Sequence, residues 1–316
     1  MNYKRVIDPE LKRIAKKIPY NKFMIKIANI YQMFALALTR NPKGIKCKRI
    51  SLRENGRLPL KVEIYEPATA TDKLPCLLYI HGGAFSYKAS VYHKKLTGIY
   101  ALEANCRVVF ADYHLLPRYP YPTAYEDVLS VYQWLSENAE SLRIDKALIG
   151  IAGDSSGGCI AAGVCNGYEK EAFPFPCAQM LIYPVTDASM STESMRIFTD
   201  TPLWNARNNK KMWELYLKNS TEENIKTASP MQNLLPYRIP DTYVETAEYD
   251  CLHDEGVTYA ERLIKAGANV ELNETKGTIH GYDSALKTQI ARNNIEKRIL
   301  FLKKCFNPDE KEKHKL

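Results

Sequence analysis

Residues 147–163 read ALIGIAGDSSGGCIAAG. An apolar run ends at Gly153, two serines follow Asp154, and a tract of small residues comes next. That texture describes a strand turning sharply into a closely packed helix. A nucleophile elbow is such a turn, with glycines two positions either side of the reactive residue so that neighbouring backbone can approach. Gly153 and Gly157 flank Ser155 at that spacing, whereas Ser156 has Asp154 at its upstream position. Ser155 is therefore the candidate nucleophile, and Ser156 the residue whose backbone N–H would face a developing anion. The bland alternative is a tight structural turn, because G-x-S-x-G recurs by chance. The rest of the chain decides between them, by supplying or lacking a base, an acid and an anion-stabilising loop.

A serine hydroxyl is barely ionised at neutral pH and needs a base that an acid orients. Where such an elbow sits on an α/β sheet, the partners follow the serine in the order acid, then histidine. Downstream lie His253, His280 and His314. His314 falls in the charged tail KEKHKL, which is expected to fray, and His253 is too close to the best acid to come from a different loop. His280 remains, in TIHGY just after NVELNET. Asp250 directly follows YVETAEY, at the carboxyl edge where open α/β sheets collect their sites. Asp187, after AQMLIYP, competes with it for the acid. Asp254 reads as the cap of the helix that starts there, and Asp154 as a neighbour that bonds backbone. Donors for an oxyanion are expected in HGGAF (81–85), where Gly82 and Gly83 let the backbone turn its N–H groups inward. That loop has neither the lysine nor the spacing of a phosphate-binding loop, and His81 reads as a brace rather than a base.

Around these residues the chain alternates between two textures. KCKRISLR and LKVEIYEP read as antiparallel strands joined by a turn over 53–58 that contains Asn55-Gly56. Five apolar runs then follow, CLLYI (76–80), RVVFADY (107–113), ALIGIAG (147–153), AQMLIYP (178–184) and YVETAEY (243–249), with NVELNET (269–275) after them. Helical stretches such as AYEDVLSVYQWLSENA and DEGVTYAERLIKAG separate them. This predicts an α/β fold with a mostly parallel sheet and helices on both faces. The span 187–240 is too long for an ordinary connection and reads as an insertion over the sheet's carboxyl edge. Ahead of the first strand, Asp8-Pro9-Glu10 opens a helix that carries Leu11, Ile14, Ala15 and Ile18 and stops at Pro19. Asn21 caps a second, with Phe23, Met24, Ile27, Ile30, Tyr31 and Phe34 along it. Residues 1–45 are thus expected to be cap helices over a catalytic domain spanning 46–310.

The net charge of +8 is localised. Residues 1–48 hold twelve lysines and arginines against Asp8 and Glu10, so the remainder is about two units negative. No stacking motif or basic helix-turn-helix accompanies that segment, so no nucleic-acid partner is expected. Weak attraction to anionic lipid headgroups ranks behind a simply solvated helix face. The eight cysteines contain no C-x-x-C pair, so neither a metal nor another cofactor is expected. MNYKRVIDPELKRIAKK is too charged for a secretory signal. IANIYQMFALAL is far shorter than the roughly 20 residues of a membrane span, so no stable insertion is expected. A reducing, cytoplasmic setting follows, and a homodimer stays open.

With these residues placed, the chain resembles the hormone-sensitive-lipase-like branch of the α/β-hydrolases, bacterial carboxylesterases and acetyl esterases. The likeness is carried by HGGAF (81–85), DYHLLPRYPYPTAYED (112–127), GDSSGG (153–158), DCLHDEG (250–256) and HGY (280–282). They come in family order over roughly residues 46–300. The resemblance implies an α/β-hydrolase fold with a helical cap, nucleophile Ser155, acid Asp250 and base His280. It also implies an oxyanion hole from Gly83, its neighbour Gly82 or Ala84, and Ser156. Ala84 stands where a third glycine is commoner. His114, Leu116, Arg118, Cys251 and His253 also depart from the family pattern, which weakens any substrate inference from close relatives.

A serine carboxylesterase acting through an acyl-enzyme on a small-molecule ester is the expected function. Bulky Tyr31, Phe34, Trp204 and Trp213 in a compact cap predict short acyl chains. A small-molecule binder on the same scaffold is the first rival, and the resemblance allows it through plant hormone receptors of this branch. A serine peptidase or amidase is the second.

Overall fold

The computed structural model describes residues 2–52, 59–167 and 174–307. The expected turn at 53–58 and the tail KEKHKL lie outside them. Eight strands form one sheet: β1 (Ile45–Leu52), β2 (Leu60–Pro67), β3 (Leu74–Ile80), β4 (Arg107–Asp112), β5 (Ile144–Asp154), β6 (Ala178–Ile182), β7 (Asp241–Tyr249) and β8 (Val270–Ile279). Their spatial order is β1-β2-β4-β3-β5-β6-β7-β8. Only the β1–β2 and β2–β4 pairings are antiparallel; every other neighbour is parallel. The chain therefore has the α/β-hydrolase fold.

The helices are α1 (Lys22–Leu38), α2 (Val91–Glu103), α3 (Thr123–Glu137), α4 (Ser156–Gly167), α5 (Glu193–Ile197), α6 (Ala206–Tyr216), α7 (Glu222–Ala228), α8 (His253–Lys265) and α9 (Gln289–Phe306). Parallel strands covered on both faces read as continuous apolar runs, and β3 shows how they divide. Cys76, Leu78 and Ile80 pack with Val128, Ile160 and Leu263 of α3, α4 and α8. Leu77 and Tyr79, one residue out of phase, pack with Leu96, Ile299 and Leu302 of α2 and α9. The period-two alternation of a strand supplies both layers.

The small residues of α4 let it sink against the sheet, and every residue in it is buried. A Cβ on Gly157 would stand 2.1 Å from the Ile80 carbonyl oxygen, and one on Gly153 2.3 Å from that of Gly157. Glycine is needed at both positions for close approach, not for backbone freedom.

The N-terminal segment departs from expectation. Asp8 does accept the Glu10 N–H, at 2.8 Å, but the turn it caps is 3-10 and ends at Leu11. Residues 12–20 form no α-helix. Their backbone bonds elsewhere: Lys16 O accepts Leu203 N–H at 2.8 Å, and Ile18 O accepts the Asn208 amide at 3.0 Å. Carbonyls given to the 200–208 stretch are lost to an i→i+4 ladder, and tertiary contacts override a helical pattern this short. Leu11 and Ala15 still anchor the segment in the core. The next helix matches its pattern, with Asn21 Oδ1 accepting Met24 N–H at 3.0 Å.

Candidate active site

Ser155 sits between β5 and α4 with φ at 54°, a left-handed conformation that costs a non-glycine residue roughly 1–2 kcal/mol. Parallel pairing of β5 with β6 and α4 packing hold it there; Ser155 N–H donates to Ile182 O at 2.8 Å. Asp250 opens the loop after β7, and His280 the one after β8. The structure brings these three distant side chains together. His280 Nε2 lies 2.9 Å from Ser155 Oγ, and His280 Nδ1 lies 2.6 Å from Asp250 Oδ2. A carboxylate can only accept, so Nδ1 carries the proton and Nε2 is left to accept from the serine hydroxyl. Asp250 is fully buried, and its other oxygen accepts Leu252 N–H at 3.1 Å.

Asp187 is placed otherwise. Its carboxylate takes the Ser189 N–H and hydroxyl and the Gln232 amide. Asp254 is not the N-cap of α8, which falls at Leu252; it lies in the first turn and accepts Ser194 N–H at 2.7 Å, tying α8 to α5. His253 bonds Asp254 and Glu274 at the surface.

The HGGAF loop lies against the elbow. Gly83, Ala84 and Phe85 all have positive φ, at 131°, 53° and 53°, which turns successive N–H groups to one side. Gly82 N–H, one of the expected donors, is committed to Asp154 Oδ1 at 2.9 Å. The N–H groups of Gly83, Ala84 and Ser156 have no protein acceptor among the described residues. They remain available to a substrate oxygen. His81 stacks on Tyr113 with ring centroids 4.5 Å apart and points Nδ1 at Gly82 O, 2.6 Å away. Burial first, then His93 nearby, lowers its pKa to about 4, so the brace is neutral.

Asp154 bonds backbone as expected, through Gly82 N–H, but its other partners and several residues around the site escaped the sequence reading. Asp154, fully enclosed, also receives the Tyr79 hydroxyl at 2.8 Å and faces His93 Nε2 at 3.3 Å. Burial alone would raise its carboxyl, but His93, Tyr79 and Gly82 N–H together hold it well below the usual range. Asn29 of α1 grips the far end of the oxyanion loop, donating to Ser86 O and accepting Lys88 N–H, both at 2.8 Å. Behind His280, the Tyr183 ring lies tilted against the imidazole with centroids 4.7 Å apart, and its hydroxyl donates to Asp283. Buried Arg298 holds Asp283 and Glu245. Glu255 Oε1 accepts Thr186 N–H at 2.7 Å, and burial pushes this carboxyl well up. None of these has a local spacing signal, because each acts on a residue far away in the chain.

A cavity of about 290 Å³ opens over Ser155 and His280, walled by Ile18, Tyr20, Tyr87, Leu203 and Trp204. Of the bulky residues expected to fill it, only Trp204 does. Trp213 is buried on α6 away from the cavity, its ring near those of Phe85 and Tyr216. Tyr31 and Phe34 point away from the cavity and are exposed, because α1 turns Ala28 and Gln32 inward instead. Among the described residues no group of three His, Cys, Asp or Glu side chains could hold a metal ion.

This geometry has known counterparts. Residues 77–284 match a family model described as alpha/beta hydrolase fold. Carboxylesterase NlhH of Mycobacterium tuberculosis is 30% identical over 282 residues, covering 87% of this chain and 88% of that one. An ethyl acetate hydrolase of Pseudomonas putida is 31% identical over 244 residues, 76% of each. The crystal structure of esterase LipW from Mycobacterium marinum superposes with a TM-score of 0.89 at 28% identity, covering 96% of this chain and 97% of that one. The chain belongs to the α/β-hydrolase family. Within it, the chain is a carboxylic ester hydrolase of the hormone-sensitive-lipase-like branch.

Proposed function

We propose that this protein hydrolyses short-chain acyl esters, acetyl to butyryl, through an acyl-enzyme on Ser155. His280 takes the hydroxyl proton as Ser155 Oγ attacks the ester carbonyl, and Asp250 holds the imidazole in the required tautomer and supports its charge. The carbonyl oxygen becomes an oxyanion facing Gly83, Ala84 and Ser156 N–H, donors worth on the order of 10²–10³ in rate each. Collapse expels the alcohol, which takes its proton from His280. Water, activated by the same imidazole, then releases the acid. Residues 1–45 and the 187–240 insertion act as the cap that shapes the acyl pocket over the 46–310 domain.

The observation that carries this reading is the unbroken line from Asp250 Oδ2 through His280 to Ser155 Oγ, with contacts of 2.6 and 2.9 Å. The short-chain preference rests on the cavity of about 290 Å³, the lower limit of the roughly 300–1,000 Å³ typical of drug-sized ligands. The ethyl acetate hydrolase among the relatives points the same way. The test is hydrolysis of p-nitrophenyl acetate, butyrate and octanoate by the protein and its Ser155→Ala variant. We expect acetate or butyrate to turn over fastest and the variant to lose activity by about 10³-fold or more. Full activity in Ser155→Ala would end the mechanism, and fastest cleavage of octanoate would end the chain-length claim.

A further inference from the structure

Catalysis uses only one side of α1. With 3.6 residues per turn, Ile25, Ala28, Gln32 and Leu36 face the body, and Ala28 and Gln32 form part of the cavity wall. On the opposite side Phe23, Ile27, Ile30, Tyr31, Phe34 and Leu38 line up in one apolar ridge. They are open to solvent, Phe23 by 70% and Leu38 by 85%. A helix on the surface of a globular protein ordinarily shows polar residues there.

The ridge lies in a positive field. The helix contains no acid, and exposed Lys22 and Lys26 flank it. Arg13 and Lys16 share a groove with Ile18 and Met24, where Lys17 is paired with Asp200. Exposed Arg207, Lys210 and Lys211 of α6 stand across the contact between Asn208 and Ile18. A second copy meeting this ridge through a two-fold axis would press basic surface on basic surface. An anionic lipid surface satisfies both features, since apolar side chains enter the acyl boundary while lysines and arginines meet headgroups. Among the described residues no helix is long and apolar enough to cross a membrane, so contact is in the plane.

We propose that α1 docks this protein on anionic lipid surfaces. The helix that meets the lipid also walls the cavity and holds the oxyanion loop through Asn29. An ester dissolved in lipid would thus reach the pocket beside its own reservoir.

The test is co-sedimentation of the Ser155→Ala protein with phosphatidylcholine vesicles, with and without roughly 30% phosphatidylglycerol. Using that variant separates docking from ester hydrolysis, so failure of either idea leaves the other standing. We expect partitioning to anionic vesicles to exceed that to neutral ones by about tenfold or more, and to fall comparably between about 0.05 and 0.5 M salt. Adding Phe34→Ser with Leu38→Ser, or Lys22→Glu with Lys26→Glu, should each reduce it about tenfold at unchanged melting temperature. Equal partitioning to both vesicle types would overturn the proposal. So would a concentration-dependent dimer that Phe34→Ser with Leu38→Ser abolishes while no vesicle is bound.

Discussion

Arg298 makes the most exposed quantitative claim about this fold. Its guanidinium is fully buried. It donates through Nε to Glu245 Oε2 at 3.1 Å, through Nη2 to Glu245 Oε1, and through Nη1 to Asp283 Oδ2 at 2.7 Å. Replacing it with methionine keeps most of the volume and leaves two enclosed carboxylates without a counter-charge. Breaking a buried pair from one side costs about 3–5 kcal/mol, and two orphaned acids place Arg298→Met at the upper end. Against a native stability of about 5–15 kcal/mol, the variant should fold but unfold at far lower urea concentration. Adding Glu245→Gln and Asp283→Asn removes the orphaned charges and should recover most of the loss, a coupling that independent sites would not show. Activity should move as well. Asp283 lies three residues past His280 and accepts the Tyr183 hydroxyl at 2.5 Å, with the Tyr183 ring against the His280 ring. We expect kcat on p-nitrophenyl butyrate to fall about tenfold in the folded single variant, about 1.4 kcal/mol of barrier, with KM little changed. A loss below about 1 kcal/mol, or no recovery in the triple variant, would refute the claim that this network anchors the histidine loop.

The remaining predictions address the site itself. Asp250→Asn should lower kcat by about 10⁴-fold through loss of the productive tautomer, while Asp187→Asn, whose carboxylate bonds Ser189 and Gln232, should leave it within a few-fold; steady-state kinetics decides, and the reverse order exchanges the acids. Ala84 holds φ at 53°, so Ala84→Gly should keep activity and gain about 0.5–1 kcal/mol in urea unfolding, the relieved strain less glycine's added entropy. Asn29→Ala leaves Ser86 O and Lys88 N–H without their partner and should cost about 1–3 kcal/mol and lower kcat more than it raises KM. For His81 the folded pKa of about 4 lies below the ordinary histidine value of 6.5, so the stabilisation is complete above about 6.5 and lost as pH falls toward 4, about 3 kcal/mol in all. His81→Gln should flatten the stability–pH curve across that window, and parallel curves would sink the assignment.

What the sequence made legible, and what it hid, divides along a physical line. Ser155 could be found because an elbow imposes glycines at fixed local offsets, and the clash distances at Gly153 and Gly157 give the reason. His280 and Asp250 could be sought because strand ends order sites along the chain, although separating Asp250 from Asp187 required knowing which loop faces the imidazole. The helical pattern over Leu11–Ile18 misled because its carbonyls bond Leu203 and Asn208, partners nearly two hundred residues away. Tyr31 and Phe34 misled because an apolar residue on a helix announces burial without saying against what. Arg298 and Asn29 act at a distance that no window of sequence spans. Local geometry writes itself into spacing, whereas support supplied from across the fold leaves a single unremarkable residue.

The same division bears on how the site works. The atoms proposed to react sit at three strand ends that the sheet alone would hold. Their fine placement depends on groups on other elements: α1 on the oxyanion loop, β3 and α2 on Asp154, α9 on the turn after His280. Nucleophile chemistry tolerates misplacement of well under 1 Å, so these outer contacts govern rate as much as stability. Substitutions at Asn29 of α1 or Arg298 of α9, neither of which lines the cavity, should therefore alter kcat without touching the hydroxyl proposed to attack the ester.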